Sequence, residues 1–560
     1  MKVLSRHLAR RAALAAGVAV VGAGLGVAPV AADSPPPSGH SLSPSTRFYV
    51  PPPAQGSIQE MRQLLRENQA HDAGLLATME SYPSAVWLTG ETAAQAALPH
   101  NHGAVLADSQ VYRQVLQTLF AARRQDAVPI FVAYNIPGRD CSQYSAGGAP
   151  SDAAYRSWID SIARALGDAQ AVVLEEPDGL ANLPGYCGAA YAAANPLITN
   201  TTRIDDIAYA VKTLEADPNI SLYLDAGNSA WQNTGGMAET LVAADVEQAQ
   251  GFFLNVSNYQ YTVNSDYYGI WTSDCITYAT ADLGATQASA LADAATFVGA
   301  ANTPQTDPFN NCPNQYWNGG PPDPAAPATY IENLLGTNST GGWVGYGSLD
   351  RYGVWSDTST NPALNTSGED LRYAQDLGST LPTTHFIVDT SRNGLGPNDM
   401  SAYAASPYNQ DSGIIGTLQS GNWCNPPGAG LGLRPTANTA GILAPLDTYQ
   451  MVPNVLDAYL WVKTPGQSDG QCDIAGGVRA WNDAEGTPSI SGWPTSTSSD
   501  WTTFDPLWSI QLGEVYTDPA AGAWFPAQAL QLAQNASPAL PTFPTFRIDG
   551  NGRIRIDSHS

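Results

Sequence analysis

Six short apolar runs, each leading into a carboxylate, an amide or a cation, constrain this chain more than any other feature. They are Val128-Pro129-Ile130-Phe131-Val132-Ala133-Tyr134, Ala171-Val172-Val173-Leu174, Ile220-Ser221-Leu222-Tyr223-Leu224, Gly251-Phe252-Phe253-Leu254, His385-Phe386-Ile387-Val388 and Tyr459-Leu460-Trp461-Val462. Near-continuous apolar runs of roughly four to seven residues are the mark of parallel strands covered on both faces. Between them lie stretches such as Ala153 to Leu166 and Thr202 to Ala216, with apolar residues at helical spacing. Strand and helix alternate, which predicts an α/β fold.

The residues that follow the runs narrow the architecture. The first run leads to Asn135 and Asp140, the second to Glu175, Glu176 and Asp178, the third to Asp225. The fourth leads to Asn255 and Asn258, the fifth to Asp389 and Arg392, the sixth to Lys463 with Asp469 behind it. Polar and charged groups collected after strand C-termini describe the active face of a parallel barrel. An open doubly wound sheet is the competing fold. It would usually carry a Gly-rich phosphate turn after its first strand, and no such turn occurs here.

Composition excludes more than it selects. With 24 basic and 50 acidic residues the formal net charge is −26, so phosphate backbones and anionic membranes would be repelled. Tyr (25) and Trp (14) are numerous while only 13% of residues are charged, which suits a neutral, hydroxyl-rich ligand that stacks on aromatic faces. More than half of these aromatics are expected to be core.

Lys2, Arg6, Arg10 and Arg11 precede an apolar run from Ala12 to Val30, and Val30-Ala31-Ala32 offers small residues for cleavage. Residues 1–32 therefore read as an export signal, with Arg10-Arg11 hinting at the twin-arginine route. Residues 33–46 read as a Pro/Ser-rich linker, 47–545 as one catalytic domain and 546–560 as a C-terminal tail. A secreted, extracellular protein with no membrane span after cleavage is expected. Six cysteines in an exported chain suggest three disulfides, with the pairing left open by the residues alone. Sequential pairing would close loops of roughly 35 to 50 residues. His100-Asn101-His102 is the nearest approach to a metal cluster and reads as a loop, so neither a metal nor a cofactor is expected.

Hydrolysis of an acetal needs a proton for the leaving oxygen and an activated water, and two carboxyl groups suffice if their environments push their pKa values apart. Asp178, in Glu175-Glu176-Pro177-Asp178, is crowded by carboxylates after an apolar strand, which favours its protonated form. Taken alone, that tetrapeptide reads by default as a solvated acidic turn.

Longer motifs carry the reading further. Val132-Ala133-Tyr134-Asn135-Ile136-Pro137-Gly138-Arg139-Asp140-Cys141, running on through Ser145-Ala146-Gly147-Gly148, resembles the first signature of family 6 glycoside hydrolases. Val172-Val173-Leu174-Glu175-Glu176-Pro177-Asp178-Gly179-Leu180 resembles the second. Tyr223-Leu224-Asp225-Ala226-Gly227, Asn255-Val256-Ser257-Asn258-Tyr259, Asp389-Thr390-Ser391-Arg392-Asn393-Gly394, Trp423-Cys424-Asn425, Arg434-Pro435-Thr436-Ala437-Asn438-Thr439, Trp461-Val462-Lys463 and Ala521-Gly522-Ala523-Trp524-Phe525-Pro526 follow in order. The resemblance runs from about Phe48 to Pro541.

What the resemblance implies is an inverting β-1,4-glucanase on a distorted barrel of seven parallel strands, with long inserted loops covering the active-site cleft. Cellulose and cello-oligosaccharides would be its partners, and a monomer is expected. The resemblance makes Asp178 the general acid and Asp140 the aspartate that raises the acid's pKa and orders the attacking water. Tyr134 would crowd the sugar at the cleavage point, and Asp225 would lie near the catalytic centre. Asp469 falls on the aspartate most often proposed as base, a water chain through Asp140 being the competing route. Lys463 and Arg392 would hold sugar hydroxyls or the charged carboxylates. Trp87, Trp231 and Trp423 are candidate stacking platforms, and Asn258 and Gln467 candidate sugar contacts. The resemblance also implies the disulfides Cys141–Cys187 and Cys424–Cys472, leaving Cys275 and Cys312 to each other.

Three departures from the family pattern stand out: Gln467 where Glu is usual, Asn228 where many members have His, and Glu175 and Gly179 within the second signature. Two long segments, Gln260 to about Tyr346 and Gly470 to Asp518, read as insertions that roof the cleft. A roofed cleft implies exo action, a cellobiohydrolase working from non-reducing ends. An endo-acting member of the same family is the runner-up, and a glucan-binding protein that has lost catalysis the alternative from another class.

Overall fold

The computed structural model describes residues 42–90, 102–296, 308–316, 348–446, 454–541, 546–548 and 554–556. The expected export signal, most of the expected linker, and His100 and Asn101 lie outside these residues. Seven parallel strands pair in sequence order: β1 (Val86–Thr89), β2 (Ile130–Tyr134), β3 (Ala171–Glu175), β4 (Ile220–Asp225), β5 (Gly251–Leu254), β6 (His385–Asp389) and β7 (Leu456–Leu460). The sheet curls into a half-barrel whose edges β1 and β7 form no ladder. Across that seam the Ala85 N–H donates to the Trp461 carbonyl at 3.0 Å, and the Trp87 indole donates to the Val462 carbonyl at 2.9 Å.

Successive strand residues point to opposite faces, and the two cores follow that alternation. Ile130, Val132, Val172, Leu174, Tyr223, Phe253, Ile387, Ala458 and Leu460 form one cluster within the curl. Phe131, Ala133, Val173, Leu222, Leu224, Phe252 and Val388 form the other, packed on helix residues such as Trp158, Ile207 and Leu241. Both faces are buried, hence the unbroken apolar runs.

Two strands depart from the sequence expectation. β1 is only four residues and contributes one fully buried side chain, Leu88, so no apolar run announces it. β7 begins at Leu456 rather than Tyr459, because its buried Asp457 interrupts the apolar pattern. That carboxylate accepts from the Tyr223 hydroxyl at 2.6 Å and from Gln250 at 2.8 Å, which satisfies its burial.

The two segments read as insertions also resolve differently. Thr262–Thr277 is a helix of the barrel wall, almost wholly buried, with Tyr267, Tyr268 and Trp271 in the main core. Buried on all sides, it shows no amphipathic period by which the sequence could reveal it. Residues 297–307 and 317–347 of that segment lie outside the described residues. In Gly470 to Asp518, Trp481, Trp501, Phe504 and Leu507 build a satellite core with Met400 and Leu418, while Trp508 packs on Phe525. These tryptophans stabilise a lobe beside the cleft and do not line it.

The chain termini carry more structure than expected. Leu42, inside the expected linker, packs in the barrel core, and Phe48 pairs with Val128. β8 (Phe546–Ile548) and β9 (Ile554–Ile556) form an antiparallel hairpin within the expected tail. All three disulfides are formed: Cys141–Cys187, Cys275–Cys312 and Cys424–Cys472. Among the described residues no helix is long and apolar enough to cross a membrane.

Candidate active site

A strand-end carboxylate in a parallel barrel has two destinations. It can face the mouth, or it can accept the main-chain N–H groups of a neighbouring loop. Three take the second. Glu176, after β3, accepts the Asn135 N–H at 2.8 Å and so holds the loop after β2. Asp225, ending β4, accepts from Ala181 at 2.8 Å and Gly227 at 3.1 Å, and the N–H groups of Asp178 and Leu180 also point to it. Asp389, ending β6, accepts from Ser391 at 2.9 Å, Lys463 at 3.0 Å and Val462 at 3.1 Å. Each loop is thereby fastened by the carboxylate of its neighbour.

The first destination is a cleft of about 850 Å³ at the strand C-termini. Asp178, Asp140 and Asp469 line it, with Tyr134, Trp87, Trp231, Asn258, Trp423, Lys463 and Gln467. Ten of the twelve expected site residues are thus brought together. Asp225 and Arg392 do not line it. Asp225 lies beneath the Asp178 turn, and Arg392 is fully buried with its Nη1 on the Asp469 Oδ2 at 2.8 Å. Of the two roles expected for Arg392, the structure gives it the carboxylate rather than the sugar.

Asp469 is held from several sides. Lys463 Nζ lies 3.1 Å from its Oδ1, and the Asn425 N–H donates to Oδ2 at 3.0 Å. The Asn425 side chain in turn accepts from the Asp469 N–H at 2.8 Å. Burial alone would raise this carboxyl, but Arg392 and Lys463 outweigh it and hold it below the usual range. Asp178 meets the opposite environment. Burial first, then the charges of Asp225, Asp140 and Asp469, push it well above the usual range, with Lys463 opposing only in part. Asp140 is raised by burial, against the Ser145 N–H that donates to it at 2.6 Å and the neighbouring Arg139. Burial lifts Asp225 to about 6 despite its four N–H donors.

Aromatic rings shape the walls. Trp87 meets Tyr134 edge-on at 5.1 Å, and the Arg139 guanidinium covers the Tyr134 ring at 4.1 Å. Tyr144 from the loop after β2 lies 6.0 Å from Trp423. Its hydroxyl sits 3.4 Å from Asp473, after β7, so the loops after β2 and β7 are in contact. Gly470 and Gly476 back this contact, for a side chain at either would run into Tyr144. Sequence reasoning singled out neither Tyr144 nor Asn182, Arg351, Tyr352 and Asn422, which also line the cleft. Tyr144 lies within the first quoted signature region; the others follow no strand-end pattern. Among the described residues no group of three or more His, Cys, Asp or Glu could hold a metal ion.

Comparison with known proteins gives this arrangement its relatives. Endoglucanase 1 of Streptomyces halstedii is 27% identical over 361 residues, 64% of this chain and 67% of that protein. A probable 1,4-beta-D-glucan cellobiohydrolase C of Aspergillus fumigatus is 26% identical over 480 residues, 82% of this chain and 70% of its own length. The chain spans 59% of Endoglucanase A of Cellulomonas fimi, with 24% identity. Among solved structures, the endoglucanase Cel6 of Mycobacterium tuberculosis shows 23% identity and a TM-score of 0.45, covering 88% of this chain and 97% of that one. Residues 43–536 match the family described as Glycosyl hydrolases family 6, and the chain belongs to that family.

Proposed function

We propose that this protein is an inverting cellulase that hydrolyses β-1,4-glucan from non-reducing ends and releases cellobiose. The observation that carries the hydrolytic reading is the opposed setting of two carboxyl groups in one cleft. Asp178 is favoured as a protonated acid and Asp469 as a carboxylate, the separation of roles that glycoside cleavage requires. Asp178 donates a proton to the leaving oxygen, and Asp140 beside it raises its proton affinity and orders the attacking water. Asp469, held as a carboxylate by Arg392 and Lys463, is a weak base, so the protons of the attacking water leave through water at Asp140. Inversion follows when the water attacks from the face opposite the leaving oxygen. Tyr134, Trp87, Trp231 and Trp423 provide stacking faces, and Asn258, Lys463 and Gln467 polar contacts to hydroxyls.

Exo action is supported by the contact that Tyr144, in the cleft lining, makes with Trp423 and with Asp473, which would restrain the loops at the mouth. The endo reading is supported by relatives named endoglucanases, such as that of Streptomyces halstedii. We place the protein outside the cell, where three disulfides persist, as a monomer whose catalytic domain takes in Leu42 ahead of the expected 47–545.

The deciding experiment follows products of cellulose with anomer-resolved detection. Cellobiose released as the α-anomer with little loss of viscosity is expected; β-anomer product would overturn inversion, and rapid viscosity loss the exo mode. Asp178→Ala should lower turnover on unactivated glucan by roughly 10²- to 10⁴-fold with binding retained, and near-normal turnover would remove Asp178 as the acid.

A further inference from the structure

The helix Asn200–Leu214 packs outside the barrel, yet one of its side chains reaches both loops that carry cleft carboxylates. Arg203 is 4% exposed. Its Nη1 donates to the carbonyl of Gly179, the residue after Asp178, at 3.0 Å. Its Nη2 donates to the carbonyls of Pro137 at 2.9 Å and Gly138 at 3.4 Å, just before Asp140. The Tyr191 hydroxyl donates to the same Gly138 carbonyl at 2.9 Å. The turn bearing Arg203 is itself fixed, since Thr199 and Thr202 exchange side-chain and main-chain hydrogen bonds at 3.1 and 2.9 Å.

Both loops need such support. Asp140 and Cys141 have φ of 57° and 46°, and Glu176 and Asp178 have 52° and 63°. L-residues hold this left-handed backbone only where surrounding contacts impose it. A guanidinium is a planar, rigid fork of donors, able to bind carbonyls of two segments in one fixed geometry. An ammonium on a flexible stem lacks that geometry. The partners of Arg203 are main-chain carbonyls, not substrate, so its effect passes through the loops.

We infer that Arg203, seconded by Tyr191, is a positioning residue that locks the Asp140 loop to the Asp178 loop and fixes the acid relative to its tuner. The inference rests on the reading of Asp178 as general acid. A residue needed only for folding would reduce activity on all substrates alike. A residue that places the acid matters only when the leaving group needs a proton.

The test compares Arg203→Lys with the parent protein on cellohexaose and on 2,4-dinitrophenyl cellobioside, whose leaving group departs without protonation. The expected result is a loss in kcat of roughly 10- to 100-fold on cellohexaose, less than about threefold on the dinitrophenyl glycoside, and little change in KM on either. Equal losses on both substrates, or none on either, overturn the inference. Asp178→Ala is measured beside it. If Asp178→Ala shows the leaving-group dependence and Arg203→Lys does not, the positioning role alone falls; if Asp178→Ala shows none, the acid assignment falls and takes the inference with it. Should Arg203→Lys fold poorly, Tyr191→Phe decides by the same comparison: a smaller split of the same sign supports the lock, and equal or absent effects overturn it.

Discussion

Asp225 lies beneath the Asp178 turn and acts on it twice, by accepting its N–H groups and by charge. Asp225→Asn removes the charge that disfavours ionised Asp178, so the Asp178 pKa falls. The alkaline limb of the kcat–pH profile should move to lower pH, with kcat reduced roughly tenfold or more as the turn loosens. A profile that stays in place would show that the two carboxyls do not communicate. The contrast between Asp225 and Asp178 also marks what the residues could reveal. Both follow apolar strands, and both were expected at the centre. Whether such a carboxylate faces the mouth or a neighbouring loop's N–H groups depends on strand parity and on the loop beside it, which a local pattern does not contain. The long signature motifs single out Asp178 and Asp140 because they specify whole loops, whereas Asp469 stands outside them, behind the sixth apolar run. In the sequence Arg203 is one polar position on an amphipathic helix, since the carbonyls it binds are distant along the chain.

At the scale of elements, the loops after β2 and β7 touch through Tyr144, which lines the cleft. Tyr144→Ala removes the ring that touches Trp423 and the hydroxyl beside Asp473, and it leaves the catalytic carboxyls in place. On soluble carboxymethyl-cellulose the variant should lose viscosity several-fold faster per reducing end released than the parent, measured by paired viscometry and reducing-sugar assays. An unchanged ratio would mean that this contact does not govern mode. The strands with uninterrupted apolar faces, β2 to β6, were legible almost to the residue. β1 was too short to register, and Asp457 hid the start of β7. The helix Thr262–Thr277 and the tryptophans of the satellite lobe looked like loop and lid because complete burial erases the period that separates a helix face from solvent.

Across the whole molecule, burial raises many carboxyls outside the cleft. Glu60, Glu80 and Asp266 are lifted to about 7, and Glu215 and Glu369 to about 8. In each case desolvation is the main cause, and the folded state binds the proton more tightly than the unfolded chain. Their contribution to stability is therefore complete below the unfolded values, 4.5 for the glutamates and 3.8 for Asp266, and is lost as pH rises through 7 to 8. The thermal midpoint should be highest on the acidic side and fall by several degrees between about pH 5 and 8, followed by scanning calorimetry. A midpoint that rose over that interval would contradict the burial of these groups. The three disulfides do not depend on pH in this range and leave the trend intact. One feature of the mouth bears on how long a polymer stays. On the proposed exo reading, the Tyr144–Trp423 contact would hold a bound glucan strand against sideways exit. Such a strand would depart along its own axis, or when the two loops separate. On the proposed exo reading, residence on an insoluble fibre would then be timed by loop opening as well as by bond cleavage.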